Sequence, residues 1–129
     1  ANMSVYYQKT FQVKVKYNHL SGAVYYSLYD NNGKWKGYIN SGYTKTARGE
    51  QGVPLAANKY VEITSKSGTV WANFSHKSMG SMSAYHHKRF HVLVKYNHFT
   101  GAVYYSLYDR DNDWKGYVNS CYTSNVSGF

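Results

Sequence analysis

The sequence predicts an all-β protein built from two small units in tandem, and three observations carry that expectation. Gly22-Ala-Val-Tyr-Tyr-Ser-Leu-Tyr-Asp30 recurs letter for letter at Gly101 to Asp109, and Trp35-Lys-Gly-Tyr38 recurs at Trp114 to Tyr117. A fixed offset of 79 positions aligns Met3 to Thr44 with Met82 to Thr123 without a gap, and about two-thirds of the paired residues are identical, the mark of small modules strung in a row. The apolar material is aromatic and β-branched, with 16 Tyr, 5 Phe and 3 Trp but few Leu or Ile, which favours strands. Short runs alternate apolar and polar residues, and no segment has a persuasive helical period.

The elements follow in order. Phe11-Gln-Val-Lys-Val-Lys16 alternates, so Phe11, Val13 and Val15 are expected on one face of a half-buried strand, as are their counterparts in Phe90 to Lys95. Tyr17-Asn-His, with Gly22 shortly after, suits a hairpin connection, and so does Tyr96 to Gly101. Val24 to Tyr29 and Val103 to Tyr108 form the second strands, with Val24, Tyr26 and Leu28 inward and Tyr25, Ser27 and Tyr29 outward. Asp30-Asn-Asn-Gly33 reads as a tight turn, with Asn112 replacing the Gly in the counterpart. Trp-Lys-Gly-Tyr then opens a third strand that runs on through Ile39 or Val118. Ala47 to Asn58 is polar and small and reads as a loop between units. Tyr60 to Thr64 and Thr69 to Phe74 read as strands around Ser65 to Gly68, and His76 to Ser83 as irregular chain.

Fifteen Lys and Arg against six Asp and Glu give a net charge of +9 over 129 residues, a surplus that attracts polyanions such as teichoic acids, nucleic acid or sulfated glycans. Cys121 is the single cysteine, so an intrachain disulfide is excluded. No apolar run is long enough to span a membrane and no signal peptide is read, so a soluble piece is expected, either a mature product or a segment of a longer protein.

The residues that could carry catalysis or hold a metal are poorly supported. Cys121 has Gly42 as its counterpart and no nucleophile motif around it. His86, His87 and His91 match Tyr7, Gln8 and Gln12, with no zinc-protease pattern nearby. Asp109, Asp111 and Asp113 resemble the start of a calcium loop, but its twelfth position is Ser120 rather than Glu. Asp30 and Asp109 sit at equivalent turns, where side-chain capping is the ordinary role. No catalytic residue, metal or cofactor is therefore expected. A binding surface remains: outward Tyr25, Tyr29, Tyr38, Tyr104, Tyr108 and Tyr117 beside Lys16, Lys36, Lys95 and Lys115, with Lys14 among them, offer stacking area for sugars and charge for phosphates.

The order of strand pair, small-residue loop, alternating strand, aromatic strand and closing Gly-aromatic dipeptide resembles the GW modules, a branch of the bacterial SH3-like domains. Gly37-Tyr38 and Gly116-Tyr117 stand where that family has Gly-Trp. Tyr-Tyr-Ser-Leu-Tyr-Asp, Gly-Tyr-Ile/Val-Asn and Thr69-Val-Trp-Ala-Asn-Phe74 are similar to repeats at the ends of lactic-acid-bacterial wall hydrolases. The resemblance implies tandem SH3-like small barrels: a partial first repeat at 1–46 without its opening strand pair, a linker at 47–58 and a complete second repeat at 59–129. It also implies a secreted, non-catalytic module on the bacterial cell surface, anchoring a hydrolase or surface protein to teichoic acid, lipoteichoic acid or peptidoglycan. The complete second repeat is expected to hold its binding residues better, and the incomplete first one to be truncated or completed by strand exchange in a dimer. A basic nucleic-acid or sulfated-glycan binder is the alternative, and a small wall hydrolase a distant third.

Overall fold

A computed structural model describes residues 6–129; the first five residues of the expected 1–46 repeat, Met3 among them, lie outside the described residues. The chain is all-β, as expected. The described residues form ten strands in two sheets, with short 3-10 turns and no α-helix. The chain divides into two compact units, one of residues 1–53 with 97–101 and the other of residues 54–96 with 102–129.

The first unit is a three-stranded antiparallel meander, β1 (Gln12–Asn18), β2 (Val24–Tyr29) and β3 (Trp35–Asn40), in that spatial order. Its register carries a correction. Val13 pairs with Leu28 but Val15 pairs with Ser27, so Lys14 is an extra residue in a β-bulge. The bulge shifts the alternation by one, and Val13 and Val15 point to opposite faces rather than sharing one. A second bulge at Lys36 sets Gly37 opposite Leu28 and Trp35 opposite Tyr29. One face of the meander therefore carries Val13, Lys16, Tyr26, Leu28 and Ile39, and the other Val15, Tyr17, Tyr25, Ser27, Tyr29, Trp35 and Tyr38. The loop at 97–101 groups with this unit: Thr10 Oγ1 donates to the Asn97 carbonyl (2.6 Å), Asn97 Nδ2 to the Gln8 carbonyl (2.8 Å), and the Phe99 amide to the Glu50 carbonyl (2.7 Å).

The second unit repeats the meander as β7 (Arg89–Asn97), β8 (Val103–Tyr108) and β9 (Trp114–Asn119), and adds β4 (Leu55–Ile63), β5 (Thr69–Trp71), β6 (Ser78–Ser81) and β10 (Thr123–Val126). The sheet order is β10-β4-β7-β8-β9-β5-β6. Val61 and Ile63 of β4, Val70 of β5, Met82, Phe90 and Val92 of β7, Tyr105 and Leu107 of β8 and Val118 of β9 form one buried cluster. Each such side chain taken fully from water stabilises the fold by about 1.5–3 kcal/mol, so this cluster holds the unit together.

Several expected elements move. The strand read from Tyr60 begins at Leu55, so the last residues of the expected linker already pair with β7. The strand read over Thr69 to Phe74 stops at Trp71, because Asn73 Oδ1 accepts the amides of Ser75 (2.8 Å) and Lys77 (3.2 Å) and turns the chain. The irregular stretch contains β6 and ends in a 3-10 turn that buries Met82. The unread β10 pairs with β4, from Thr123 opposite Ile63 to Val126 opposite Tyr60. Where small barrels are expected, the seven strands of the second unit form one ladder with β10 and β6 at its two ends. β5 is three residues long, is bulged at Trp71 and meets β9 at the pair Trp71 and Tyr117.

Candidate functional site: an aromatic and lysine sheet face

The same local devices build the candidate face in each unit. Asp30 Oδ1 accepts the amides of Asn32 and Lys34 at 2.9 Å each, and Asp109 Oδ1 those of Asp111 (2.9 Å) and Asp113 (3.0 Å), which fixes the turn before the third strand. These amides, the one four residues on foremost, hold both carboxyl groups below their ordinary value of 3.8, with Lys36 or Lys115 adding to the effect. Tyr6 Oη donates to the Lys36 carbonyl (3.0 Å), and Tyr85 Oη to the Lys115 carbonyl (2.9 Å), each pinning the bulged lysine.

On this frame the third-strand Trp folds over the second strand. Trp35 Nε1 donates to Ser27 Oγ (3.0 Å) and Trp114 Nε1 to Ser106 Oγ (2.9 Å). Ser27 and Ser106, expected outward and open, face outward but are buried beneath the indoles. The two bonds satisfy hydroxyls that would be costly to bury alone. Each Trp also meets the Tyr three residues on edge to face, Trp35 with Tyr38 and Trp114 with Tyr117, at 5.1 Å between centroids.

In the first unit the result is an open aromatic face. Tyr17 meets Tyr38 edge to face at 5.6 Å, and Lys14 Nζ sits 4.8 Å from the centre of the Tyr29 ring, an attraction between cation and ring face. Trp35 is 49% exposed, Tyr17 50% and Tyr38 60%. A hydrogen bond with Tyr17 raises the Tyr38 hydroxyl above its ordinary value of 10.0, which favours its neutral form.

The second unit fills the equivalent place with its own side chain. Phe74 lies 4.9 Å from Tyr96, 5.5 Å from Tyr104 and 4.5 Å from Tyr117, ring centre to ring centre. Burial, then the neighbouring Tyr117, pushes the Tyr96 hydroxyl up to about 12. The second unit, expected to be the better binding surface, thus has its tyrosine cluster covered by Phe74, whereas the counterpart cluster of the first unit is open.

The expected site residues divide accordingly. Tyr25, Tyr29 and Tyr38 share one face of the first unit, joined by Tyr17 and Trp35. Lys16 pairs with Tyr26 and lies on the opposite face. Lys36 reaches back to Asp30 (3.6 Å) and Lys115 to Asp109 (3.5 Å), so each charge is partly offset. Tyr104 and Tyr117 surround Phe74, Tyr108 pairs with Trp114, and Lys95 pairs with Leu55 in the ladder with β4. Tyr17 was missed because the alternation of Gln12 to Lys16 is unbroken in sequence, and nothing in its polarity marks the bulge that turns Tyr17 toward Tyr38. Phe74 was read as strand rather than as a plug.

The other polar clusters have local partners. His91 Nε2 is 2.7 Å from Asn58 Oδ1 and stacks on Tyr60 at 4.6 Å. The His86 and His87 rings are 3.7 Å apart, and burial followed by the His87 charge lowers the pKa of His86. The side-chain oxygens of Asp109, Asp111 and Asp113 lie within 4.8 Å of one another, with Asp109 already taken up by two amides and Lys115. A shallow depression of about 410 Å³ is lined by His87, Lys88, Arg89, Phe90, Asp109, Arg110, Asp111 and Phe129. Within it Arg110 stacks over Phe129 (5.5 Å), and Arg89 pairs with Glu62 (3.1 Å).

No family model and no curated protein matches the chain. Among solved structures, a protein from Listeria monocytogenes assigned as an autolysin is similar, with a TM-score of 0.51, 16% identity and 80% of this chain covered. This chain spans 42% of that protein's length. At that identity the likeness is one of fold: the all-β arrangement described above recurs within a larger protein assigned as an autolysin.

Proposed function

We propose that this chain is a non-catalytic cell-wall-binding module of the GW type, acting outside the cell to hold a hydrolase or surface protein on a Gram-positive envelope. The observation that carries the reading is the open face of the first unit, where Tyr17, Trp35 and Tyr38 are exposed together and Lys14 stands over Tyr29. Flat rings offer stacking area to the carbohydrate part of a wall polymer, while the surplus of lysine attracts its phosphates. Taken as a whole, residues 1–53 of the first unit carry Lys9, Lys14, Lys16, Lys34, Lys36, Lys45 and Arg48 against Asp30 and Glu50. Teichoic or lipoteichoic acid is therefore the first ligand and peptidoglycan the second. The fold likeness to a protein assigned as an autolysin supports a wall-related setting.

The test is co-sedimentation with purified Gram-positive walls before and after the teichoic acid is stripped. Retention on intact walls and loss on stripped ones is expected. Equal retention on both would move the ligand to peptidoglycan. No retention on either, with binding to heparin or single-stranded DNA, would replace the reading with a general polyanion binder.

A further inference from the structure

The first unit is a three-stranded portion of an arrangement that the second unit carries further, and the difference lies in one run of chain. Leu55 to Trp71 supplies β4, which pairs along the outer side of β7, and β5, which pairs with β9. Val61, Ile63 and Val70 from that run cover Phe90, Val92, Leu107 and Val118.

The first unit keeps the receiving surfaces of that run. β1, the counterpart of β7, is an edge strand exposed along its whole length, and β3, the counterpart of β9, is the other edge. Val13 is 42% exposed where its counterpart Val92 is 0%. The backbone over the third strand tells the same story. Gly116 has a φ of +110°, and a Cβ built there would lie 2.6 Å from Val70 Cγ1 and 3.2 Å from the Trp71 carbonyl, so β5 passes directly over it. Gly37 has a φ of +119° and open space in the same direction. Lys59 Nζ of β4 donates to Tyr105 Oη at 2.8 Å, and Tyr26 offers the counterpart hydroxyl in the first unit.

We propose that the first unit is an acceptor for a two-stranded polypeptide segment patterned like Leu55 to Trp71 and carried by a further repeat of the same module. The incoming segment pairs its first strand antiparallel to the outer edge of β1 and lays its second strand beside β3 across Gly37. Its apolar residues, in the places of Val61, Ile63 and Val70, cover Val13, Leu28 and Ile39. Main-chain hydrogen bonds along a free edge supply the affinity and the apolar positions supply the register. Exchange between two copies of this chain does not supply the segment, because each copy has one such run for two acceptors and every exchange opens as many edges as it closes. The face covered by the apolar positions is the one opposite Tyr17, Trp35 and Tyr38, so a segment ending at Trp71, short of a Phe74 counterpart, leaves the aromatic face open and its uptake is tested separately from wall binding.

The test tethers the segment. A second Pro54 to Ser81 carrying Phe74→Ala, joined directly ahead of Met3 in the full chain, reproduces the spacing by which Ser81 precedes Met82 and leaves the aromatic face open. Amide exchange on β1 should slow about tenfold or more relative to the parent chain, as expected for an edge converted to an interior strand. Val13→Lys, at a position already exposed in the parent, should abolish that protection in the fusion while leaving the parent's exchange unchanged. Unchanged exchange on β1, equal slowing by a segment of scrambled order, or slowing that survives Val13→Lys would each overturn the proposal. So would displacement of the native β4, seen as altered exchange on β7 instead.

Discussion

Phe74→Ala should separate the two units more cleanly than any other single change. In the second unit Phe74 touches Tyr96, Tyr104 and Tyr117 with ring centres 4.5 to 5.5 Å away. Each such aromatic pair is worth about 0.5–1.5 kcal/mol beyond its area. Independently, a fully buried Phe loses about 3–5 kcal/mol on truncation to Ala, and Phe74 is half-buried. Both routes lead to a loss of about 2 to 3 kcal/mol from the second unit, and to none from the first, where no aromatic ring among the described residues covers Tyr17 and Tyr38 as Phe74 covers their counterparts. Urea unfolding followed through the amide resonances of β7 to β9, apart from those of β1 to β3, reads each unit separately. With slopes of about 1–3 kcal/mol/M for small proteins, the second unit's midpoint should fall by roughly 0.7 to 3 M. The variant should also expose Tyr96 and Tyr117 as their counterparts Tyr17 and Tyr38 are exposed, so wall retention should rise at a urea-free, fully folded condition. A midpoint shift below about 0.3 M for the second unit, or equal shifts in both units, would refute the plug.

Three further outcomes follow from the same geometry. Retention on intact walls should fall steeply as salt rises, since screening lengths shrink to about 10 Å at 0.1 M; retention unchanged up to about 1 M salt would argue for a neutral glycan or peptide. The carboxyl groups of Asp30 and Asp109 are held below 3.8 by turn amides, so their folded-state pKa is depressed; the stability they contribute is present above about pH 4 and lost as pH falls through the lower folded value. Asp30→Asn with Asp109→Asn should flatten the acid limb of a stability profile, and an unaltered limb would contradict the capping role. Tyr96, pushed up to about 12, favours its neutral form in the fold; that stability is complete below pH 10 and disappears as pH rises toward 12. Ultraviolet titration should show a late-ionising tyrosine that moves down in Phe74→Ala, and a titration identical in the two proteins would contradict its burial.

Much of this was legible in the sequence, for reasons that differ from element to element. The repeat placed β1 to β3 and β7 to β9 in correspondence, and the turn at Asp30 announced itself through Asp, Asn and Gly. The inward places of Tyr26 and Leu28 followed from period two. What sequence did not carry was register. Gln12-Val-Lys-Val-Lys16 alternates without a break, yet the bulge at Lys14 reverses its second half and brings Tyr17, rather than Lys16, to the aromatic face. β10 was missed because Thr123-Ser-Asn-Val126 has no apolar alternation and is held by pairing with β4 rather than by its own burial. Phe74 looked like the end of a strand because only the tertiary arrangement shows the three tyrosines around it.

The most direct test of the wall-binding reading is retention of Tyr17→Ala/Tyr38→Ala on intact Gram-positive walls, set against Tyr104→Ala/Tyr117→Ala. All four substitutions lie on the proposed kind of face, but the first pair removes exposed rings and the second removes rings that Phe74 covers. The open-face reading predicts that the Tyr17 and Tyr38 variant, with its unfolding midpoint little changed, loses most of its wall retention, while the second variant loses stability and keeps retention below its lowered midpoint. Full retention by the Tyr17 and Tyr38 variant would contradict it and place the wall contact on a different surface.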